Sequence, residues 1–111
     1  MTANWYQKAA LRTANKRLSA KSQLDNGLKG LCGEAGEAMD ILKKHQYQGH
    51  ELDKEHLAKE LGDIAWYLAI SAYALGYELD EIFEMNIEKL QARYPEKFDA
   101  SLSINRKEGD I

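Results

Sequence analysis

The stretch "GLKGLCGEAGEAMD", Gly27 to Asp40, decides how this chain is read: its periodicity is helical, yet a glycine stands at every third position, Gly27, Gly30, Gly33 and Gly36. Each interior glycine costs a helix about 1 kcal/mol relative to alanine. Something close to that backbone must need the space. At 100° per residue Leu28, Leu31, Ala35, Ala38, Met39 and Leu42 form one apolar stripe, so the stretch belongs to a helix running from Leu24–Asn26 to about His45.

Working outward, the polar "QYQGHELD" is a connector, and Asp53 is placed to cap a third helix that runs to about Leu75 and stops at Gly76. A fourth helix spans Leu79 to the break at Pro95, and a first helix covers Asn4 to Leu18. Strand signals are few. The expectation is an all-α, four-helix bundle-like domain over residues 1–95 and a polar tail, 96–111, that forms a flap, an arm or a disordered end.

The third helix carries a core stripe of Leu57, Leu61, Ile64, Leu68 and Leu75, with Trp66, Ala69 and Tyr73 on its far side. A helix apolar almost all round wants burial on two sides. In so small a bundle a second copy of the chain is the natural partner, so a homodimer or homotetramer is expected.

A chain of 111 residues with 44% hydrophobic and 30% charged residues suits one domain with its own core. The net charge of −3 and the absence of a long basic run argue against nucleic acid as a partner; Lys16, Arg17 and Lys21 read as a solvated patch. No apolar run is long enough for a membrane span and no leader pattern opens the chain, which points to the cytoplasm. The single cysteine, Cys32, has no aligned histidine partner and reads as a core residue.

Two pairs of carboxylates stand out. Glu34 and Glu37 on the second helix, and Glu60 and Asp63 on the third, are each spaced i, i+3, which puts both acids of a pair on one face about 4.5 Å apart along the axis. Two solvated acidic faces would satisfy the same spacing, but Ile41 lies between the first pair on the wheel, and Tyr67, Ile70 and Ala74 continue the face of the second. Packed together, the two helices can aim all four acids into one cleft. Like charges about 5 Å apart repel by about 3 kcal/mol at an effective dielectric of 20, so such a cleft needs a counter-charge. Oxygen-only ligation suits Mg²⁺ or Mn²⁺, and neither the zinc spacing nor the Glu-x-x-His pairs of di-iron bundles occur.

Asn86, Lys89 and Arg93 make a polar face with two cations on the fourth helix, flanking Leu79, Ile82, Phe83, Ile87 and Leu90. Such a face is either a surface feature or, beside a metal cluster, a grip for polyphosphate, with lysine as point charge and arginine as fork.

"GLCGEAGEAMD", "KELGDIAWYLA" and "NIEKLQARYP" together resemble the signature blocks of MazG-like nucleotide pyrophosphohydrolases, of the all-α nucleoside triphosphate pyrophosphatase superfamily, over roughly Leu24 to Pro95. The resemblance implies hydrolysis of a nucleoside triphosphate between its α and β phosphates, in house-cleaning or control of nucleotide pools. It makes Glu34, Glu37, Glu60 and Asp63 the catalytic acids and metal ligands, with Lys89 and Arg93 on phosphate oxygens and Asn86 completing the site. It also gives Gly33 and Gly36, beside Glu34 and Glu37, a reason: close approach of a helix or of a metal–phosphate group. The alternative is a non-catalytic oligomerisation module with an acidic metal-binding face. His56, one turn before Glu60, either supports that acid or caps the helix; Trp5 and Tyr6 either stack on a base or pack the first helix; Arg106 and Lys107 either close over phosphates or belong to a free arm.

Overall fold

The computed structural model describes residues 1–111, in five helices and no strand: α1 (Ala3–Leu11), α2 (Ala20–Tyr47), α3 (Lys54–Ala74), α4 (Leu79–Arg93) and α5 (Ala100–Ile104). The all-α expectation holds. Side chains with local hydrogen-bonding oxygens open four of the helices, accepting otherwise unpaired backbone N–H groups. Thr2 accepts from Trp5, Ser19 from Ser22, Asp53 from His56 and Asp99 from Ser101. Gly76, at φ +85°, closes α3 as expected: its N–H donates to the Tyr73 carbonyl and that of Tyr77 to the Ala72 carbonyl, a Schellman turn that favours glycine.

Two boundaries differ from expectation. The first helix stops at Leu11 rather than Leu18, because Asn15 folds the chain into a turn in which its Oδ1 accepts the Arg17 N–H. The chain then enters α2 at Ala20, several residues early, where Ser19 supplies the cap. In the region read as a polar tail, Asp99 caps the one short helix α5.

The contacts divide the chain into two compact units, Met1–Leu79 and Asp80–Ile111. Within the first, α3 packs on both α2 and α1. Its core holds Ala10, Ala69, Ile70, Ala72 and Leu79, together with the buried polar residues Gln7, Glu60 and Ser71. Gln7 joins three backbone groups: its Nε2 donates to the carbonyls of Ala69 and Tyr77, and its Oε1 accepts the N–H of Leu79. Every hydrogen-bonding atom of that amide has work to do, which makes its burial tolerable.

The far side of α3 is covered from within the chain, which corrects the expectation that Trp66 waits for a second copy. Trp66 Nε1 donates to the Ala10 carbonyl and to Thr13 Oγ1, and Ala69 is fully buried. Tyr73, on the same side, remains exposed.

The stripes expected to form the core are only partly covered: Leu31, Ala38, Leu42, Leu57, Ile64 and Leu68 are half-buried, and the others open to solvent. Leu28 is 51% exposed, Met39 62%, Leu61 58% and Leu75 56%. The α2–α3 seam runs instead through Gly27, Gly30, Tyr67 and Ser71: a Cβ on Gly27 would strike Ser71, and one on Gly30 would strike the Tyr67 ring. At 100° per residue this seam is rotated from the leucine stripe by roughly 100° on α2 and roughly 70° on α3. Close approach is possible only where side chains are missing, so the glycine face takes the seam. Cys32 falls on the exposed side of α2, not in the core.

Candidate metal centre

Because the seam is rotated, Glu34 and Glu60 lie at the junction of α2 and α3 rather than on its flank. Carboxylate oxygens of Glu34, Glu37 and Glu60 come within 4.8 Å of one another. Asp63 is exposed and stands outside this group; its charge acts on Tyr6, whose hydroxyl is held above the usual phenol range first by burial and then by Asp63.

Glu60 is buried, and its Oε2 has no hydrogen-bond partner; nor does the buried Oε2 of Glu34. The other oxygen of Glu60 lies 3.2 Å from His56 Nε2, while the backbone N–H of His56 donates to Asp53 Oδ1. His56 thus both supports Glu60 and belongs to the capped first turn.

The electrostatics follow from crowding three acids. The Glu34 carboxyl is pushed up to about 7, chiefly by its hydrogen bond with Glu60, then by burial and the neighbouring Glu37 charge. Glu60 is held below the usual carboxylate range by the hydrogen bond from Glu34, with Glu37 and His56 adding to the effect against the cost of burial. Opposite shifts of two adjacent acids are those of a pair that holds one proton between them. Unpartnered buried oxygens, an all-carboxylate donor set and mutual repulsion fit a hard divalent cation.

Beside the acids opens a cleft of about 450 Å³ lined by Gly33, Gly36, Glu37, Lys44, His56 and Glu60, among others. A Cβ on Gly33 or Gly36 would meet nothing within 4 Å. The four glycines therefore divide their roles: Gly27 and Gly30 admit α3, while Gly33 and Gly36 leave the cleft wall bare. Asp40, also on the cleft wall, holds Lys44 in an ion pair of 3.0 Å, a contact that the acid-pair pattern did not single out.

In the other unit, Asn86 and Lys89 lie exposed on α4, and Arg93 is its last residue. Arg93 is mostly buried and grips Asp110 with two hydrogen bonds, Nε to Oδ2 at 2.9 Å and Nη2 to Oδ1 at 2.8 Å. Sequence reasoning missed Asp110, for no local pattern links positions so far apart. A cleft of about 580 Å³ surrounds this pair, with Lys89, Arg106 and Lys107 on its walls.

Comparison with known proteins places the chain in a family. A 68-residue segment is 38% identical to the Gene 37 protein of Mycobacterium phage L5, covering 58% of this chain and 60% of the phage protein's length. No solved structure matches the chain significantly. No helix is long and apolar enough to cross a membrane. The MazG nucleotide pyrophosphohydrolase domain matches residues 23–98, a span that includes the three converging glutamates as well as Asn86, Lys89 and Arg93, and on that match the chain belongs to the MazG nucleotide pyrophosphohydrolase family.

Proposed function

We propose that the chain is a Mg²⁺-dependent pyrophosphohydrolase that cleaves a ribo- or deoxyribonucleoside triphosphate to the monophosphate and pyrophosphate, Mn²⁺ being the other cation suited to its donors. The observation that carries this reading is the buried, unpartnered oxygen of Glu60 beside the converging Glu34 and Glu37. A solvated acidic face, as a non-catalytic oligomerisation module would have, gives no reason to bury such an oxygen.

Glu34, Glu37 and Glu60 would hold the cation, with Asp63 contributing at the edge of the site. When bound, the metal supplies charge neutralisation for the triphosphate and a lowered pKa for water. The chain's own part is to fix the donors: the N-cap at Asp53 sets the first turn of α3, His56 orients the Glu60 carboxylate, and the bare wall at Gly33 and Gly36 leaves room for phosphate. A carboxylate of the cluster takes the proton from the attacking water. Asn86, Lys89 and Arg93 are assigned the phosphate oxygens, with the lysine and arginine offsetting the charge that develops on departing pyrophosphate.

A panel of NTPs and dNTPs incubated with Mg²⁺ in water enriched in oxygen-18 tests the reading. The expected result is pyrophosphate plus a labelled monophosphate, with turnover abolished by excess EDTA. Orthophosphate plus a diphosphate would place the attack at the terminal phosphorus and overturn it.

We also propose that copies of the chain associate as a homodimer or homotetramer through the leucine stripe. Leu28, Met39, Leu61 and Leu75 supply the support, since each exposes more than half of its surface. Sedimentation of the wild type should give at least a dimer, and Leu61→Asp should shift it towards monomer. A monomeric wild type at micromolar concentration would end this proposal.

A further inference from the structure

The Arg93–Asp110 pair has more around it than a tail anchor requires. The two side chains are 11% and 16% exposed, and both oxygens of the carboxylate face the guanidinium, which is the arrangement an arginine fork offers to a phosphate. Asp110 is presented by a turn: Gly109 takes φ +87°, and the Asp110 N–H donates to the Lys107 carbonyl. The surrounding cleft carries Lys89, Arg93, Arg106 and Lys107 against the two acids Glu108 and Asp110. Asp110 is accordingly held below the usual carboxylate range, first by its hydrogen bonds with Arg93, with the charges of Arg106 and Lys89 adding to the effect. Two carboxylates offset only part of the charge of four cations.

We propose that Asp110 is an internal competitor for phosphate at Arg93, and that the C-terminal segment is a latch that a diphosphate or triphosphate group opens by taking the guanidinium fork from the carboxylate. The proposal rests on the assignment of Arg93 to the phosphate chain. It explains why a residue assigned to substrate is already paired, and it adds an affinity cost: a ligand that binds only the unlatched form sees its apparent affinity reduced by the fraction unlatched. The exchange breaks two hydrogen bonds to a singly charged carboxylate and replaces them with bonds to a more highly charged phosphate, which also engages Lys89 and Arg106.

The probe is inorganic pyrophosphate, titrated calorimetrically into the full chain in EDTA so that no metal contributes. Asp110→Asn should bind pyrophosphate about tenfold more tightly than wild type if the latch is closed nine-tenths of the time. Arg93→Ala should abolish that binding. In the wild type, pyrophosphate should speed amide exchange at Gly109 and Asp110. If Asp110 merely positions Arg93, Asp110→Asn binds more weakly; that result, an unchanged affinity, or no binding by either protein overturns the proposal. Asp110→Ala provides a second variant with the same expectation. Hydrolysis is read separately: tighter binding by Asp110→Asn without triphosphate cleavage would defeat the catalytic reading alone, and intact cleavage with unchanged binding would defeat the latch alone.

Discussion

In the unit Met1–Leu79, one buried oxygen of Glu34 and one of Glu60 lack partners; in the unit Asp80–Ile111, a mostly buried cation already has one. A buried carboxylate oxygen that no N–H or O–H reaches costs free energy, and a cation is the group that would offset that cost. A paired guanidinium costs little, so its pairing says nothing about need, only about what must be displaced. On the proposed reading, the first region receives a cation and the second exchanges one anion for another.

The strongest way to break that contrast is to remove a charge from the acid cluster. Glu60→Gln should keep the helices, seen by circular dichroism, and lower kcat by roughly 10²–10⁴-fold, the range typical for loss of a group that handles protons or metal. Near-wild-type turnover would mean that the unpartnered oxygen of Glu60 is incidental. Arg93→Ala should be next in size: hydrogen bonds to charged groups contribute about 1.5–3 kcal/mol, which corresponds to roughly 10- to 150-fold in kcat/KM. The loss should show in kcat as well as KM if the guanidinium acts on the departing pyrophosphate.

The glycines give a smaller and purely structural pair. Gly30→Ala drives a methyl group against the Tyr67 ring and should destabilise the fold by about 1–3 kcal/mol, less what alanine's better helix propensity returns. Gly33→Ala meets only open space and should stabilise the fold by up to about 1 kcal/mol, while placing a methyl in the cleft wall. Urea unfolding of the two variants side by side decides the matter; equal effects would mean that the α2–α3 approach is looser than described.

The smallest effect is on the pH dependence of the metal-free protein. Glu34 holds its proton more tightly in the fold, up to about 7 against an ordinary 4.5, so its contribution to stability is complete below about 4.5 and is lost as pH rises towards 7. Glu60 is shifted the other way, and its contribution is lost as pH falls below the ordinary range. In EDTA, the urea midpoint should therefore decline between about pH 5 and about pH 8, and Glu34→Gln should flatten the decline. A slope unchanged in that variant would show that Glu34 does not hold the shared proton.

Much of this was legible in the chain because it is local. Asp53 and Gly76 mark the ends of α3 through hydrogen bonds within a few residues, and the i, i+3 spacing of Glu34 and Glu37 fixes their common face on any α-helix. Periodicity continues past Leu11 and predicts too long a first helix, whereas the turn at Asn15 depends on one side chain's own hydrogen bond. A helical wheel gives directions but not neighbours, so it leaves Trp66 without a partner in the chain; the fold supplies Ala10 of α1 and Thr13 just beyond it.

What the sequence determined by itself, then, is the set of helices, their caps and the acids that share a face, all consequences of backbone geometry over four residues or fewer. Tertiary structure decided which faces meet. Hydrophobic burial is non-directional and rewards a leucine stripe against any apolar partner, so hydropathy placed the seam on Leu28, Leu31 and Leu61. Close helix packing also depends on what the two surfaces exclude, and Gly27 and Gly30 let α3 approach on a face that turns Glu34 and Glu60 inward and leaves much of the leucine stripe open. The meeting of Arg93 with Asp110 is of the same kind: it joins residues through the path of an intervening turn, which no periodicity records.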